Sequence, residues 1–413
     1  MGKLIKRNNR TLCLLFQVHQ PFRLKTYRFF NIGKDHTYYN ESINVSILRS
    51  IAHNCYLPAN AVLLELIQKH GEAFKVTFSI SGTALEQFRK YAPEVLDSFK
   101  QLYKTGNVEF VAEPYAHSLA MLMDPSEYLR QVKKHQKALH CLFNCHPTAL
   151  INANLMYSNK IAGLASEMGF KTVLTEGHDE VMGWKSPNYI YASEPYPELK
   201  LMLRNSRLSE DISLRFSKHD WNEWPLTPQK FMSWLNAIDK SEELVNLFMD
   251  YGTLGEYHNV KTGIFKFFNS FVENVVSLGK WSFRTVTETT EIIEPIALLN
   301  VPHTISSEND EHDLTAWLGN ELQQEAFSGL YSVAPVMKDC NDKGLIGDWS
   351  KLQTIDHFYY MSLKHFAKYG INQLYSPYSS PYDAFVNYMN VLADFLIRVK
   401  EYGNMKAYSA RPE

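Results

Sequence analysis

The stretch Leu12-Cys13-Leu14-Leu15-Phe16-Gln17-Val18-His19-Gln20-Pro21 decides how this chain folds. A short apolar run that ends in a polar residue reads as a strand buried on both faces, as strands of parallel sheets are. The same pattern returns at Lys75 to Ile80, Val108 to Ala112, Ala149 to Asn152, Thr172 to Thr175 and Leu244 to Met249. Helical patterns lie between these runs, at Leu57 to His70, Leu85 to Tyr103, Pro125 to Phe143 and Tyr157 to Met168. Alternating strands and helices predict an α/β fold with a parallel sheet. So many units favour an irregular (β/α)7-type barrel, closed or nearly closed, over a doubly wound open sheet. Beyond about Asp310 the texture changes, and Leu314 to Phe327, Gln353 to Tyr369 and Pro381 to Tyr402 all read as helices. The expected organisation is a barrel over residues 1–300 and a helical C-terminal region over 301–413.

Polar residues gather just after the strand candidates: His19, Glu109 and Glu113, Asn154, Glu176 and Asp250. Parallel barrels build their sites from the loops that follow strand C-termini, so these positions are the candidate site.

With 45% hydrophobic and 21% charged residues, the chain reads as a soluble globular protein rather than a disordered or fibrous one. Its formal charge of -2 offers no net pull on phosphate backbones or anionic lipid, so nucleic acid is not an expected partner. The basic stretch Lys3 to Arg10 followed by Thr11 to Phe16 has too short an apolar run and no small-residue cleavage site for a secretion signal. No run approaches the roughly 18 apolar residues of a membrane span. Five cysteines make no even disulfide framework. A cytoplasmic protein is expected, with Cys141, Cys145 and His146 as structural groups and no metal or cofactor called for.

Asp250, in Phe248-Met249-Asp250-Tyr251-Gly252-Thr253-Leu254-Gly255-Glu256-Tyr257-His258, ends an apolar strand and enters a glycine-containing turn. It reads either as a catalytic acid at the mouth of a site or as the cap of the next helix. Glycosidic cleavage uses two carboxyl groups: one donates a proton to the leaving oxygen, and the other attacks the sugar or activates water. His19 could donate to a sugar hydroxyl or be satisfied locally. Glu109 and Glu113 flank a strand end, where an inward carboxylate needs a partner or a ligand. Trp317 reads as helix core or as a platform for the apolar face of a sugar ring.

Taken together, these segments resemble glycoside hydrolase family 57, specifically its α-amylase branch. Val18-His19-Gln20-Pro21-Phe22-Arg23-Leu24 looks like the family's first motif, and Gly106-Asn107-Val108-Glu109 like its second, continued by Glu113, His117, Ser118 and Leu119. Phe248-Met249-Asp250-Tyr251 with Gly255-Glu256 is similar to the fourth, and Leu314 to Asn320 to the fifth. Leu352-Gln353-Thr354, Asp356-His357-Phe358-Tyr359-Tyr360-Met361 and Ser376-Pro377-Tyr378 also look like the α-amylase branch. The resemblance implies a seven-stranded barrel variant, a helical region that reaches the active site, and α-1,4-glucan chemistry with retention. It makes Asp250 the acid/base and His19, Glu109, Glu113, Glu176 and Trp317 substrate-binding candidates.

Two departures stand out. In Asn152-Ala153-Asn154-Leu155-Met156-Tyr157, Asn154 holds the position of the family's nucleophilic Glu, and Gly252 stands where the fourth motif usually has Glu. A neutral amide attacks poorly, but it keeps the shape and hydrogen bonds that hold a sugar. The expectation is a cleft that binds an α-glucan or maltooligosaccharide and hydrolyses it slowly or not at all. The alternatives are an active hydrolase or 4-α-glucanotransferase in which Glu176 substitutes, and a non-catalytic glucan-binding regulatory subunit whose protein partner no feature names.

Overall fold

In the computed structural model, which describes residues 10–177, 179–183, 185–308, 312–364 and 376–409, the strands are β1 (Arg10–Val18), β2 (Val76–Ile80), β3 (Val108–Phe110), β4 (Ala149–Ile151), β5 (Thr172–Glu176), β6 (Ile190–Ser193), β7 (Lys200–Arg204), β8 (Leu244–Asp250), β9 (Trp281–Phe283) and β10 (Leu298–Leu299). One parallel set runs β3-β2-β1-β8 and another runs β7-β5-β4. A parallel bridge between Ala112 and Leu150 joins β3 to β4. A hydrogen bond of 2.9 Å from the Asn205 N–H to the Asn246 carbonyl joins β7 to β8. Seven parallel strands therefore close into a ring, β1-β2-β3-β4-β5-β7-β8. The fold is a barrel and not the doubly wound sheet. β6 pairs antiparallel with the first half of β7, β10 extends β6, and β9 covers the start of β1.

Alternation along each strand decides what points inward. Leu12, Leu14, Phe16 and Val18 pack outward into a core shared with the helices. Cys13 and Leu15 face the barrel interior with Val111, Ile151, Leu174, Met202, Leu244 and Phe248. Continuing the same parity to the C-terminal ends brings Gln17, Glu113, Glu176, Arg204 and Asp250 to the inner face of the mouth. Apolar residues fill the shaft, and polar ones begin where the strands stop.

The predicted helix Leu85 to Tyr103 is two helices, Gly82–Tyr91 and Pro93–Lys104, because Pro93 cannot continue the first. Leu314 to Phe327 likewise divides into Thr315–Leu318 and Glu321–Tyr331, with the Asn320 side chain accepting from the Gln323 N–H to start the second. Of the pattern Gln353 to Tyr369, Ile355–Tyr359 is helical, and residues 365–369 lie outside the described residues. The long helix Pro381–Ser409 is tied to the loop after β1 by its buried Asp394, which accepts from the Tyr38 hydroxyl, His36 Nδ1 and the Gly33 N–H. A bridge between Ser118 and Thr354, and a bond from the Ile355 N–H to the His117 carbonyl, dock the C-terminal helices on the loop after β3.

Candidate active site

At the mouth beside β1, the fully buried Glu113 accepts from Ser79 Oγ (2.7 Å), Gln17 Nε2 (3.1 Å) and His117 Nδ1 (2.7 Å). Burial alone would raise its carboxyl, but the bonds from His117 and Ser79 hold it below the ordinary value. His117 has a φ of 51°, a left-handed conformation that few residues of its size adopt. Its ring stacks on His19 at 4.3 Å. His19 Nδ1 bonds Ser81 Oγ at 2.7 Å, and Nε2 bonds Asp356 Oδ2 at 2.8 Å. Burial and the neighbouring His117 lower His19 from its ordinary value. Nε2, facing the Asp356 carboxylate, is the donor of that pair.

Asp250 leaves the end of β8 and caps the turn Tyr251–Thr253, its Oδ1 accepting the Gly252 N–H at 2.7 Å. It caps a turn, as one of the two readings of this residue has it, and it also lines a cleft with His19, Glu256, Tyr257, Asp356 and Tyr360. Burial pushes its carboxyl up to about 6, against the opposing bonds from Gly252 and Tyr257. Glu256 is raised as well, by burial and then by the charge of Asp250, and its Oε2 has no hydrogen-bond partner among the described residues. Gly252 is needed for contact rather than for φ: a Cβ there would stand 2.7 Å from Tyr257 Cζ and 2.9 Å from Asp250 Oδ1.

Asn154 lies in the turn Ala153–Leu155 after β4, and both Asn154 (φ 48°) and Leu155 (φ 55°) are left-handed. Consecutive strained residues persist only where the surroundings hold them. Here the Asn152 side chain accepts from the Tyr128 hydroxyl and donates to the Met156 carbonyl, bracing the turn from below. On its other side, an antiparallel bridge between Tyr157 and Ile305 and a bond from the Ser307 N–H to the Asn154 carbonyl align the segment 305–308. That alignment places the Glu308 carboxylate against the Asn154 side chain, with Nδ2 donating to Oε2 at 2.8 Å. Burial raises the Glu308 carboxyl, while a bond from Tyr359, the charge of Arg204 and the bond from Asn154 oppose the rise.

Of the other site candidates, Glu176 is buried in an ion pair with Arg204 Nη1 at 2.9 Å and accepts the Gly177 N–H. Glu109 faces inward but sits at the opposite end of the barrel, where it accepts from Thr77 Oγ1 and from the N–H and hydroxyl of Thr287 at the start of helix Val286–Ile292. Trp317 is 1% exposed and packs within the core of the helical region. The structure thus brings His19, Glu113, Asn154, Glu176 and Asp250 to one end and leaves Glu109 and Trp317 elsewhere. A cavity of about 460 Å³ lies at the far end of the barrel among Lys75, Trp281 and Arg284, away from this chemistry. Among the described residues no three His, Cys, Asp or Glu side chains are grouped to hold a metal ion.

The sequence reading passed over Glu308 and Arg204. Glu308 falls in Ile305-Ser306-Ser307-Glu308, which has no strand or helix period to mark it. Arg204 closes a strand that the reading missed.

A closed ring of seven parallel strands, with carboxylates and imidazoles at its mouth beside a helical region, defines a (β/α)7 barrel. The model of Glycosyl hydrolase family 57 matches residues 13–302, and the chain belongs to that family. A protein of Methanocaldococcus jannaschii described as "Putative alpha-amylase" is 36% identical over 401 residues, which cover 94% of this chain and 84% of that protein. The GH57-type branching enzyme from Pyrococcus horikoshii shares the fold with a TM-score of 0.68 at 12% identity, over 89% of this chain and 87% of its own. The 4-alpha-glucanotransferase from Thermococcus litoralis does so with a TM-score of 0.69 at 13% identity, over 98% of this chain. This chain spans only 60% of the glucanotransferase's length. Among the described residues no helix is long and apolar enough to cross a membrane.

Proposed function

We propose that this protein binds α-1,4-glucans at the cleft between Asp250, His19 and Asp356, with Asp250 as the proton donor to the glycosidic oxygen. The observation that carries this reading is the Asp250 carboxyl, pushed up to about 6 by burial at the end of a barrel strand. A carboxyl near that value is protonated often enough to donate and basic enough to take the proton back. The Glycosyl hydrolase family 57 match and the α-amylase description of the M. jannaschii relative support the substrate class.

Asn154 cannot serve as the nucleophile, because an uncharged amide oxygen does not form the glycosyl ester at useful rates. Its amide donor favours a second reading, a glucan-binding relative without hydrolysis, since loss of a nucleophile leaves the hydrogen bonds of binding in place. Long incubation with maltoheptaose beside Asp250→Ala, with binding followed separately by calorimetry, tests both. Products made only by the unaltered protein support turnover through Asp250. Saturable binding without products supports the second reading, and absence of binding sinks both.

A further inference from the structure

Resting on that reading of the cleft, we infer that Glu308 supplies the second carboxylate of the site, replacing in space the side chain that Asn154 does not provide. The carboxylate comes from the segment that bridges to the chain just after Asn154. The Tyr157–Ile305 bridge and the bond from the Ser307 N–H to the Asn154 carbonyl fix the register between the two segments. That register delivers Glu308 Oε2 to within 2.8 Å of Asn154 Nδ2. Asn154 and Tyr359 both bond the carboxylate, so it is oriented by two donors on different elements. Glu308 is only half-buried, so its carboxylate is not sealed in the core.

The rival carboxylates fit less well. Glu176 spends Oε2 on Arg204 and Oε1 on the Gly177 N–H. Glu256 follows Asp250 on the same loop, and burial together with the Asp250 charge disfavours its ionised, nucleophilic form. Glu308 follows the segment paired with the turn after β4, whereas Asp250 ends β8, so the two carboxylates come from different strand ends of the one barrel.

In the reaction, a Glu308 carboxylate oxygen forms a bond to the anomeric carbon as the bond from that carbon to the glycosidic oxygen breaks. The Asp250 proton passes to the departing oxygen. Water then gives a proton to Asp250 and its oxygen to the anomeric carbon, releasing Glu308 as the carboxylate. Configuration is retained through two displacements. Asn154 is a positioning residue for Glu308.

The test uses the full chain with maltoheptaose. Glu308→Gln is expected to lower turnover about a thousandfold or more while leaving glucan affinity within a few fold. Glu308→Ala is expected to recover part of the loss with added azide, and a fluorinated glucosyl fluoride is expected to leave its sugar on the peptide that carries Glu308. Circular dichroism checks that both variants fold. A label on Glu256 or Glu176, or turnover indifferent to Glu308→Gln while Asp250→Ala abolishes it, would overturn the assignment and leave the cleft reading intact. Turnover indifferent to both substitutions would instead remove the cleft reading itself. A protein that binds maltoheptaose and never cleaves it also overturns the role of Glu308.

Discussion

His19 Nε2 and Asp356 Oδ2 are 2.8 Å apart although 337 positions separate them in the chain. The first strand's terminal imidazole is therefore oriented by a helix of the C-terminal region, and the same bond holds that helix on the barrel. Asp356→Asn keeps the shape and an acceptor oxygen but removes the charge. Turning a hydrogen bond to a charged group into one to a neutral group costs about 1 kcal/mol, and a like loss in the bound state is a several-fold weaker affinity. Urea unfolding and maltoheptaose calorimetry should both register the change, and a variant unaffected in either would show the bond to be incidental.

The alkaline limb of the pH dependence follows from Asp250. Only its protonated form can donate, so turnover is expected to fall roughly tenfold per unit above about pH 6, and to fall again on the acid side as Glu308 takes up a proton. Stability runs in the same direction. The folded value lies above the ordinary 3.8, so this contribution is fully present below 3.8 and is lost as pH rises through about 6. Tyr257 bonds the ionised form and holds the value down. Tyr257→Phe should therefore move the alkaline limb of the rate profile upward. A limb that stays in place would assign the titration to another group.

Much of this arrangement was legible before any coordinates. β1 and β8 are long apolar runs that read as buried strands in the sequence, and the register between them sets Gln17 beside Asp250. β7 was not legible because Lys200-Leu201-Met202-Leu203-Arg204 uses Leu and Met, which favour helices as readily as strands, behind a loop containing two prolines. Without β7 there was no Arg204, and Glu176 looked free. Glu109 and Glu113 are both inward by parity, yet one strand length puts them at opposite ends of the barrel. Glu308 depends wholly on the pairing of Tyr157 with Ile305, a contact between segments far apart in sequence that no local period encodes.

Restoring Glu at position 154 looks from the sequence like a repair. In the structure it sets a second carboxylate within hydrogen-bond distance of Glu308. Two carboxylates that close cannot both ionise without cost, so one must hold a proton and the pair's upper titration rises. Asn154→Glu is expected to match the unaltered protein's stability near pH 5 and to lose about 1–3 kcal/mol by pH 8. Adding Glu308→Gln should return that stability and raise turnover above that of Asn154→Glu alone. Thermal unfolding at the two pH values decides it, and a single variant stable at pH 8 would mean that the new side chain turns away from Glu308.

Glu109 separates support of the fold from service to the site. Its carboxylate accepts from the Thr287 N–H and hydroxyl and from Thr77 Oγ1, joining β2, β3 and the helix Val286–Ile292 that closes the lower end of the barrel. Glu109→Gln replaces one acceptor oxygen by a donor and sets it against the half-buried Thr287 donors, a loss of about 1–3 kcal/mol. Because Glu109 stands at the end opposite Asp250, maltoheptaose affinity should be unchanged within twofold where the variant is folded. Unfolding in urea reads the first effect and calorimetry the second. Weakened affinity in a variant of undiminished stability would move Glu109 from the barrel floor to the binding cleft.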